Sequence, residues 1–264
     1  MTYLVHQGRV HTWSLEVHVA DHCNLRCAQC CTLSPHLPEQ FLTPEVLDRD
    51  LRRLSAVLRP NVLKLTGGEP LLHPELLTLV QTARQTGISD MLSMTTNGHL
   101  LGKAPDRLLE ALDRITLSWY QSAPLSSRAL DRIEDRCKAW NVGLTIKARD
   151  TFQTLTPWPL EAERTDIQQI HADCWMKVRC HLVRNGVFYT CTRPPHLQTW
   201  LAKQGRTENL AAEDGLVLDG AELGRRLHDY LTGEEALRSC QFCLGGSGEW
   251  GAHKQLEKGA GLAP

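Results

Sequence analysis

Four cysteines fall within nine positions, in the stretch Cys23-Asn24-Leu25-Arg26-Cys27-Ala28-Gln29-Cys30-Cys31. Thiols at this density pair as disulfides, hold a zinc ion or hold an iron–sulfur cluster. Cys23, Cys27 and Cys30 make a C-x3-C-x2-C run. Cys31 is no easy fourth ligand, because adjacent side chains diverge. A tetrahedral zinc site takes four ligands, commonly in C-x2–4-C pairs. A [4Fe–4S] cluster normally takes four cysteines, so three would leave one iron open to a substrate or cofactor.

Two further stretches carry chemistry. In Gly67-Gly68-Glu69-Pro70 the glycines let a ligand approach the backbone. Glu69 can accept hydrogen bonds from an ammonium group, and Pro70 fixes the exit from the loop. Later, Cys174 and Cys191 stand at the two ends of an expected hairpin over 182–190 that turns at Asn185-Gly186, and Cys240-x2-Cys243 follows. Those four thiols would make a cage that suits zinc and an iron–sulfur cluster equally well.

The elements that must position these residues follow from periodicity. Residues 13–19 alternate and are rich in β-formers, so they read as a strand. Thr43-Pro44 supplies an N-cap and a proline at the first helical position, with Leu47, Leu51, Leu54 and Leu58 at helical spacing behind it. Strands over 62–66, 91–95, 115–119 and 144–148 alternate with helices over 74–86, 106–113 and 126–140. This alternation predicts a parallel sheet of five or six β/α units, a partial (β/α)6-type barrel rather than the closed eight-unit form. In such sheets the active site lies beyond the C-terminal strand ends. The cysteine loop, GGEP, Thr96-Asn97-Gly98 and Ser118-Trp119-Tyr120 all fall there. From about residue 150 the alternation fails. Pro157-Trp158-Pro159 reads as a linker, so the chain divides into 1–150 and a small cysteine-rich unit over 151–264.

Composition narrows the function classes. The chain has 264 residues, 42% hydrophobic, with 29 basic and 30 acidic residues and a formal charge of −1. No long run of one sign appears, which argues against a nucleic-acid surface. The N-terminus lacks the apolar core of a secretory signal, and no apolar window is long enough to span a membrane. A cytoplasmic location follows as the expectation. In a reducing compartment, ten cysteines bind metal or do redox chemistry more readily than they form disulfides.

The C-x3-C-x2-C loop after the first strand, with GGEP after the second, resembles the radical S-adenosylmethionine (SAM) superfamily over residues 13 to about 148. The resemblance implies that Cys23, Cys27 and Cys30 hold a [4Fe–4S] cluster whose fourth iron is chelated by SAM. One electron from the cluster would cleave SAM to a 5′-deoxyadenosyl radical. Gly67, Gly68 and Glu69 would bind the SAM amino group, with Thr96, Asn97 and Ser118 as further SAM contacts. The residues alone also read Thr96-Asn97-Gly98 as a turn and Ser118 as a strand end. Two positions depart from the family pattern. Gln29 stands where an aromatic residue usually lies near the adenine, and Tyr120 where an acidic residue is common, so Tyr120 would face the substrate instead. Lys147 and Arg149 would contact the substrate or the SAM carboxylate, solvated strand-end charges being the alternative.

The run Cys174-x11-Gly186-x4-Cys191, followed by Cys240-x2-Cys243, resembles the SPASM/twitch extension of this superfamily, in the short twitch form of its aminocyclitol dehydrogenases. That resemblance assigns Cys174, Cys191, Cys240 and Cys243 to an auxiliary [4Fe–4S] cluster. Only five residues separate Cys180 from Gly186, so it does not fit as the first ligand. The implied reaction is oxidation of a secondary alcohol in a polar small molecule of aminocyclitol or aminosugar type. A flavodoxin or ferredoxin would serve as electron donor. Two other outcomes remain open. One is epimerisation, with Cys180 or Cys31 returning a hydrogen atom. The other is peptide modification, although a cysteine loop beginning at residue 23 leaves no room for an N-terminal leader-binding domain. Cys137, on a helix beside Ala139 and Trp140, reads as a core residue.

Overall fold

The computed structural model describes residues 3–158, 160 and 166–257. Pro159 of the expected linker lies outside the described residues. The chain begins with β1 (Val5–His6), β2 (Arg9–Ala20), α1 (Pro44–Ser55), β3 (Leu58–Gly67), α2 (Leu76–Gln85) and β4 (Leu92–Thr96). It continues with α3 (Asp106–Glu110), β5 (Arg114–Trp119), α4 (Ser127–Ala139), β6 (Gly143–Ala148) and β7 (Thr151–Gln153). After these come α5 (Ile167–Asp173), β8 (Leu182–Arg184), β9 (Val187–Tyr189), α6 (Arg193–Lys203), α7 (Leu210–Glu213), β10 (Leu216–Val217), α8 (Leu223–Thr232) and β11 (Trp250–Ala252).

Strands β2 to β6 are parallel neighbours, and the order across the sheet is β10-β9-β8-β2-β3-β4-β5-β6. The sheet is open, an α/β partial barrel. Its sixth parallel strand is β8, which pairs with β2 through Glu16↔Leu182 and Val17↔Val183. Alternation explains the two faces. Leu15, Val17 and Val19 of β2, Leu63 and Leu65 of β3 and Ile115 and Leu117 of β5 are fully buried in the main core. Leu47, Leu51 and Leu54 of α1 and Leu79, Val80 and Ala83 of α2 join them there. Glu16 and His18, the intervening residues of β2, line a cavity with Lys64 and Thr66 of β3.

Some boundaries differ from the periodicity. Helix α1 is capped as expected, with Thr43 Oγ1 accepting from Val46 N, but it ends at Ser55, and Leu58 opens β3. Pro60 disfavours the helical conformation at Arg59, in keeping with the strand there. Helix α2 starts at Leu76 rather than Pro74, after a 3-10 turn over Pro70–Leu72, and α3 stops at Glu110. Helix α6, with Pro194 in its first turn, and the two-stranded β7–β11 sheet have no counterpart in the periodicity.

The hairpin over 182–190 forms as expected. Asn185 and Gly186 both have positive φ, 50° and 79°, as the two central residues of a tight hairpin turn require. It joins the main sheet rather than standing apart. Arg184 reaches from β8 to Asp21, at the head of the cysteine loop, with two bonds of 2.7 Å. Both side chains are largely buried, so loss of one partner leaves an uncompensated charge. Arg184→Ala is expected to cost about 3 kcal/mol in chemical unfolding, and an unchanged denaturation midpoint would show that the pair contributes nothing.

Candidate active site

The two loops expected to hold a cofactor lie against each other. Gly68 N donates to Ala20 O at 2.7 Å and Glu69 N to His22 O at 3.1 Å. A Cβ on Gly68 would fall 1.9 Å from His22 O, and one on Gly67 would fall 2.4 Å from Ala20 O. The glycines are thus required first by the neighbouring backbone. Glu69 is fully buried. Its carboxylate accepts from Thr96 Oγ1 at 2.7 Å, Asn97 N at 2.9 Å and Leu71 N at 3.1 Å. Burial pushes the Glu69 carboxyl above its ordinary range against the pull of these bonds. Glu69 therefore braces GGEP against the Thr96-Asn97 turn, and it is Gly67 and Gly68 that line the cavity.

The cysteine loop is held by distant parts of the chain. Gln29 Oε1 accepts from Leu155 N at 3.1 Å, so this residue ties the loop to the segment after β7. Arg26 N donates to Gln255 Oε1 at 2.8 Å and Ala28 N to Lys254 O at 2.9 Å. Several donors aim at the sulfurs. Leu25 N lies 3.4 Å from Cys23 Sγ, Gln255 Nε2 3.4 Å from Cys27 Sγ and Asn97 Nδ2 3.6 Å from Cys23 Sγ. Burial pushes the Cys23 thiol up to about 11 and the Cys27 thiol up to about 12.

The later cysteines also come together. Cys191 and Cys243 share a small apolar cluster with Leu155 and Met176, and Cys174 and Cys180 pack on it. Cys240 feels the charge of Cys243 and Cys174, and burial pushes its thiol up to about 12. Arg193 N lies 3.4 Å from Cys191 Sγ and Gly245 N 3.3 Å from Cys243 Sγ.

Both thiol sets fit an iron–sulfur cluster by donor chemistry: soft sulfur ligands with N–H groups directed at them. Metal loading would displace the protons of the ligating thiols. Among the described residues, no three His, Cys, Asp or Glu side chains converge on a position for a single metal ion. A cluster spreads its ligands over several iron atoms. Cys137 sits in the core, 2% exposed.

A cavity of about 590 Å³ opens between the cysteine loop and the strand ends. Cys23, Cys27, Cys30, Thr96, Asn97, Ser118, Tyr120, Lys147 and Arg149 all line it, as do Cys31 and Cys180. Tyr120 stacks on His253 at 4.5 Å, and burial pushes its phenol up, so it keeps its proton. Cys31 is exposed into the cavity, yet the surrounding protein pushes its thiol up to about 12. Burial pushes Cys180 up as well, and it lies in the field of Glu16 and Cys31.

The inner face of β2 and β3 adds residues that apolar periodicity does not single out. Glu16 lies 3.4 Å from Lys64 Nζ and 3.6 Å from His18 Nε2. Burial alone would raise the Glu16 carboxyl, but the neighbouring His18 and the Lys64 charge outweigh it, and the pKa is lowered. His18 Nδ1 lies 2.6 Å from His196 Nε2 of α6, with the two rings stacked. Behind the loop, buried Arg193 donates to Cys31 O at 3.0 Å and Thr156 Oγ1 at 2.5 Å. The strand alternation carried a signal for Glu16, His18 and Lys64. Nothing local marks Arg193, His196 or Gln255, whose contacts span most of the chain.

Comparison with known proteins agrees with this geometry. The GTP 3′,8-cyclase of Microcystis aeruginosa is 36% identical over 109 residues, 39% of this chain and 33% of that one. That of Chlorobaculum tepidum is 40% identical over 106 residues, 39% of this chain and 32% of that one. The shared stretch spans about a third of these relatives. The crystal structure of BtrN in complex with AdoMet and 2-DOIA has the same fold, with a TM-score of 0.51 at 16% identity over 84% of this chain and 82% of that one. The Radical SAM superfamily matches residues 17–138. With the cysteine and glycine loops opening on one cavity, that stretch is a radical SAM superfamily domain, and a [4Fe–4S] cluster and SAM are its cofactors.

Proposed function

We propose that this radical SAM enzyme is an oxidoreductase that removes two electrons from a secondary alcohol of a polar small molecule. The observation that carries the reading is an ionised carboxylate, Glu16, in the cavity that Cys23, Cys27 and Cys30 line. Cys23, Cys27 and Cys30 would hold the first cluster, which with SAM supplies a 5′-deoxyadenosyl radical able to take a hydrogen atom from carbon. Gly67, Gly68, Thr96, Asn97 and Ser118 would shape the SAM seat, with Glu69 acting through the loops it braces. Cys174, Cys191, Cys240 and Cys243 would hold an auxiliary [4Fe–4S] cluster as the acceptor of the second electron. Leu155 and Met176 line the cavity and belong to the same apolar cluster as Cys191 and Cys243.

The protein's part is proton handling and exclusion of water. One hydrogen atom leaves carbon, the hydroxyl proton goes to Glu16 Oε, the remaining electron goes to the acceptor, and a carbonyl results. His18 Nε2 lies 3.6 Å from Glu16, and its Nδ1 lies 2.6 Å from His196 Nε2, so two imidazoles stand behind the carboxylate. Tyr120, Lys147 and Arg149 would contact the substrate. An electron donor of flavodoxin or ferredoxin type completes the cycle. The aminocyclitol or aminosugar class comes from the twitch resemblance. No helix among the described residues is long and apolar enough to cross a membrane.

A second reading keeps its own observation: Cys31 and Cys180 line the cavity with raised thiols, suited to returning a hydrogen atom and thus to epimerisation. The test is mass spectrometry of product made in D2O by wild type, Cys31→Ala and Cys180→Ala. Oxidation gives a product two hydrogen atoms lighter from all three proteins. An isomeric product carrying one deuterium, lost in either variant, would replace the dehydrogenase reading and identify the donor.

A further inference from the structure

What the cavity grips is set by its charges. Lys64, Lys147, Arg149 and Arg179 line it, against a single carboxylate, Glu16, among the described residues. Lys64 is paired with Glu16 at 3.4 Å, and the Arg179 guanidinium lies 4.8 Å over the Trp13 ring. Lys147 and Arg149 have no carboxylate partner among the described residues. Lys147 stands level with Ser118 on the neighbouring strand. Burial lowers its ammonium pKa first, and repulsion from Arg149 and Lys64 lowers it further. Three cations therefore line one cavity with a single carboxylate among them, and an anion seated between them would offset their charge. SAM does not supply that balance, because its sulfonium offsets its one carboxylate and it brings no net negative charge.

We infer that the cavity recognises its substrate through an anionic group, a phosphate or a carboxylate, held between Lys64, Lys147 and Arg149. This rests on the radical SAM reading, which places SAM and substrate in this cavity, and it revises the expected aminocyclitol. The ammonium groups of an aminocyclitol would meet four cations and one carboxylate. The Arg149 guanidinium offers the planar fork that phosphate and carboxylate both match, and the two lysines add point charges beside it. The substrate class is then a phosphorylated or carboxylated polyol, with its alcohol toward Glu16.

The test is calorimetric titration of cluster-reconstituted protein saturated with S-adenosylhomocysteine, at fixed ionic strength. The probes are inorganic pyrophosphate, malonate and 2-deoxystreptamine. Saturable binding of pyrophosphate or malonate is expected, and whichever binds more tightly names the anion. The Lys147→Gln/Arg149→Gln double variant should weaken it by at least about tenfold. Arg59→Gln, which removes an ion pair with Asp90 outside the cavity, should leave it unchanged. Tighter binding of 2-deoxystreptamine than of either anion would overturn the inference. So would the absence of anion binding by a protein that still takes up S-adenosylhomocysteine. Loss of S-adenosylhomocysteine binding itself would instead bring down the radical SAM reading, and this inference with it.

Discussion

Replacing Cys23, Cys27 and Cys30 together by alanine is expected to abolish 5′-deoxyadenosine formation and to lower iron from about eight to about four atoms per chain. The three thiols sit on one loop, line one cavity and have N–H donors directed at two of their sulfurs. Alanine leaves nothing to ligate iron there, while the loop itself remains held through Arg26 N, Ala28 N and Gln29. The reciprocal variant, lacking Cys174, Cys191, Cys240 and Cys243, should also keep about four irons. It should still cleave SAM and should fail to release an oxidised product. Iron and sulfide analysis of anaerobically reconstituted protein, with chromatographic assay of 5′-deoxyadenosine, checks both. Stoichiometric zinc without iron in anaerobically purified protein would refute the cluster assignments.

Glu16→Gln is expected to lower the rate of substrate oxidation by about 10²- to 10⁴-fold, the usual contribution of a positioned base. SAM cleavage should persist without matching product. Glutamine keeps the size of the side chain and can still accept from Lys64, so the fold should survive, as a melting curve would confirm. The pH dependence has a definite sign. The carboxyl pKa is lowered in the folded protein, so the base form is present above the ordinary carboxylate range and is lost only as pH falls below it. Lys64 and His18 face this carboxylate, and the Cys31 and Cys180 thiols lie in its field. Oxidation should therefore hold level from neutral pH down through that range. Wild-type turnover by Glu16→Gln, or a rate that falls already near neutrality, would remove Glu16 from the reaction.

The parallel strands, the helices between them and the hairpin at Asn185-Gly186 were legible in the sequence because period and turn chemistry are local. So was the cysteine spacing, since ligands on one loop must follow one another closely. The inner face of β2 was written in the same alternation, yet Glu16 and His18 are easily passed over in a stretch read for its apolar residues. Glu69 shows a different limit. Its residue type suits an ammonium ligand, but three donors from two loops already converge on it. Whether a carboxylate faces a ligand or braces a turn depends on the neighbouring loop. Gln29, Arg193, His196 and Gln255 act across more than a hundred residues of chain, and no short window holds both partners.

Strand β8 has a consequence for recombining this protein with its relatives. Its pairing with Glu16 and Val17 makes β2 an interior strand, although the two are far apart in the chain. A chain cut after residue 150 would leave β2 around Glu16 and Val17 without its partner, an edge open to pairing with another copy. A chimera that exchanged the later segment would have to bring its own strand in the same register. A slip of one residue would turn buried Val183 and its neighbours to the opposite face. The cysteine-rich segment is therefore not a cassette, and the unit of exchange includes the strand carrying Glu16.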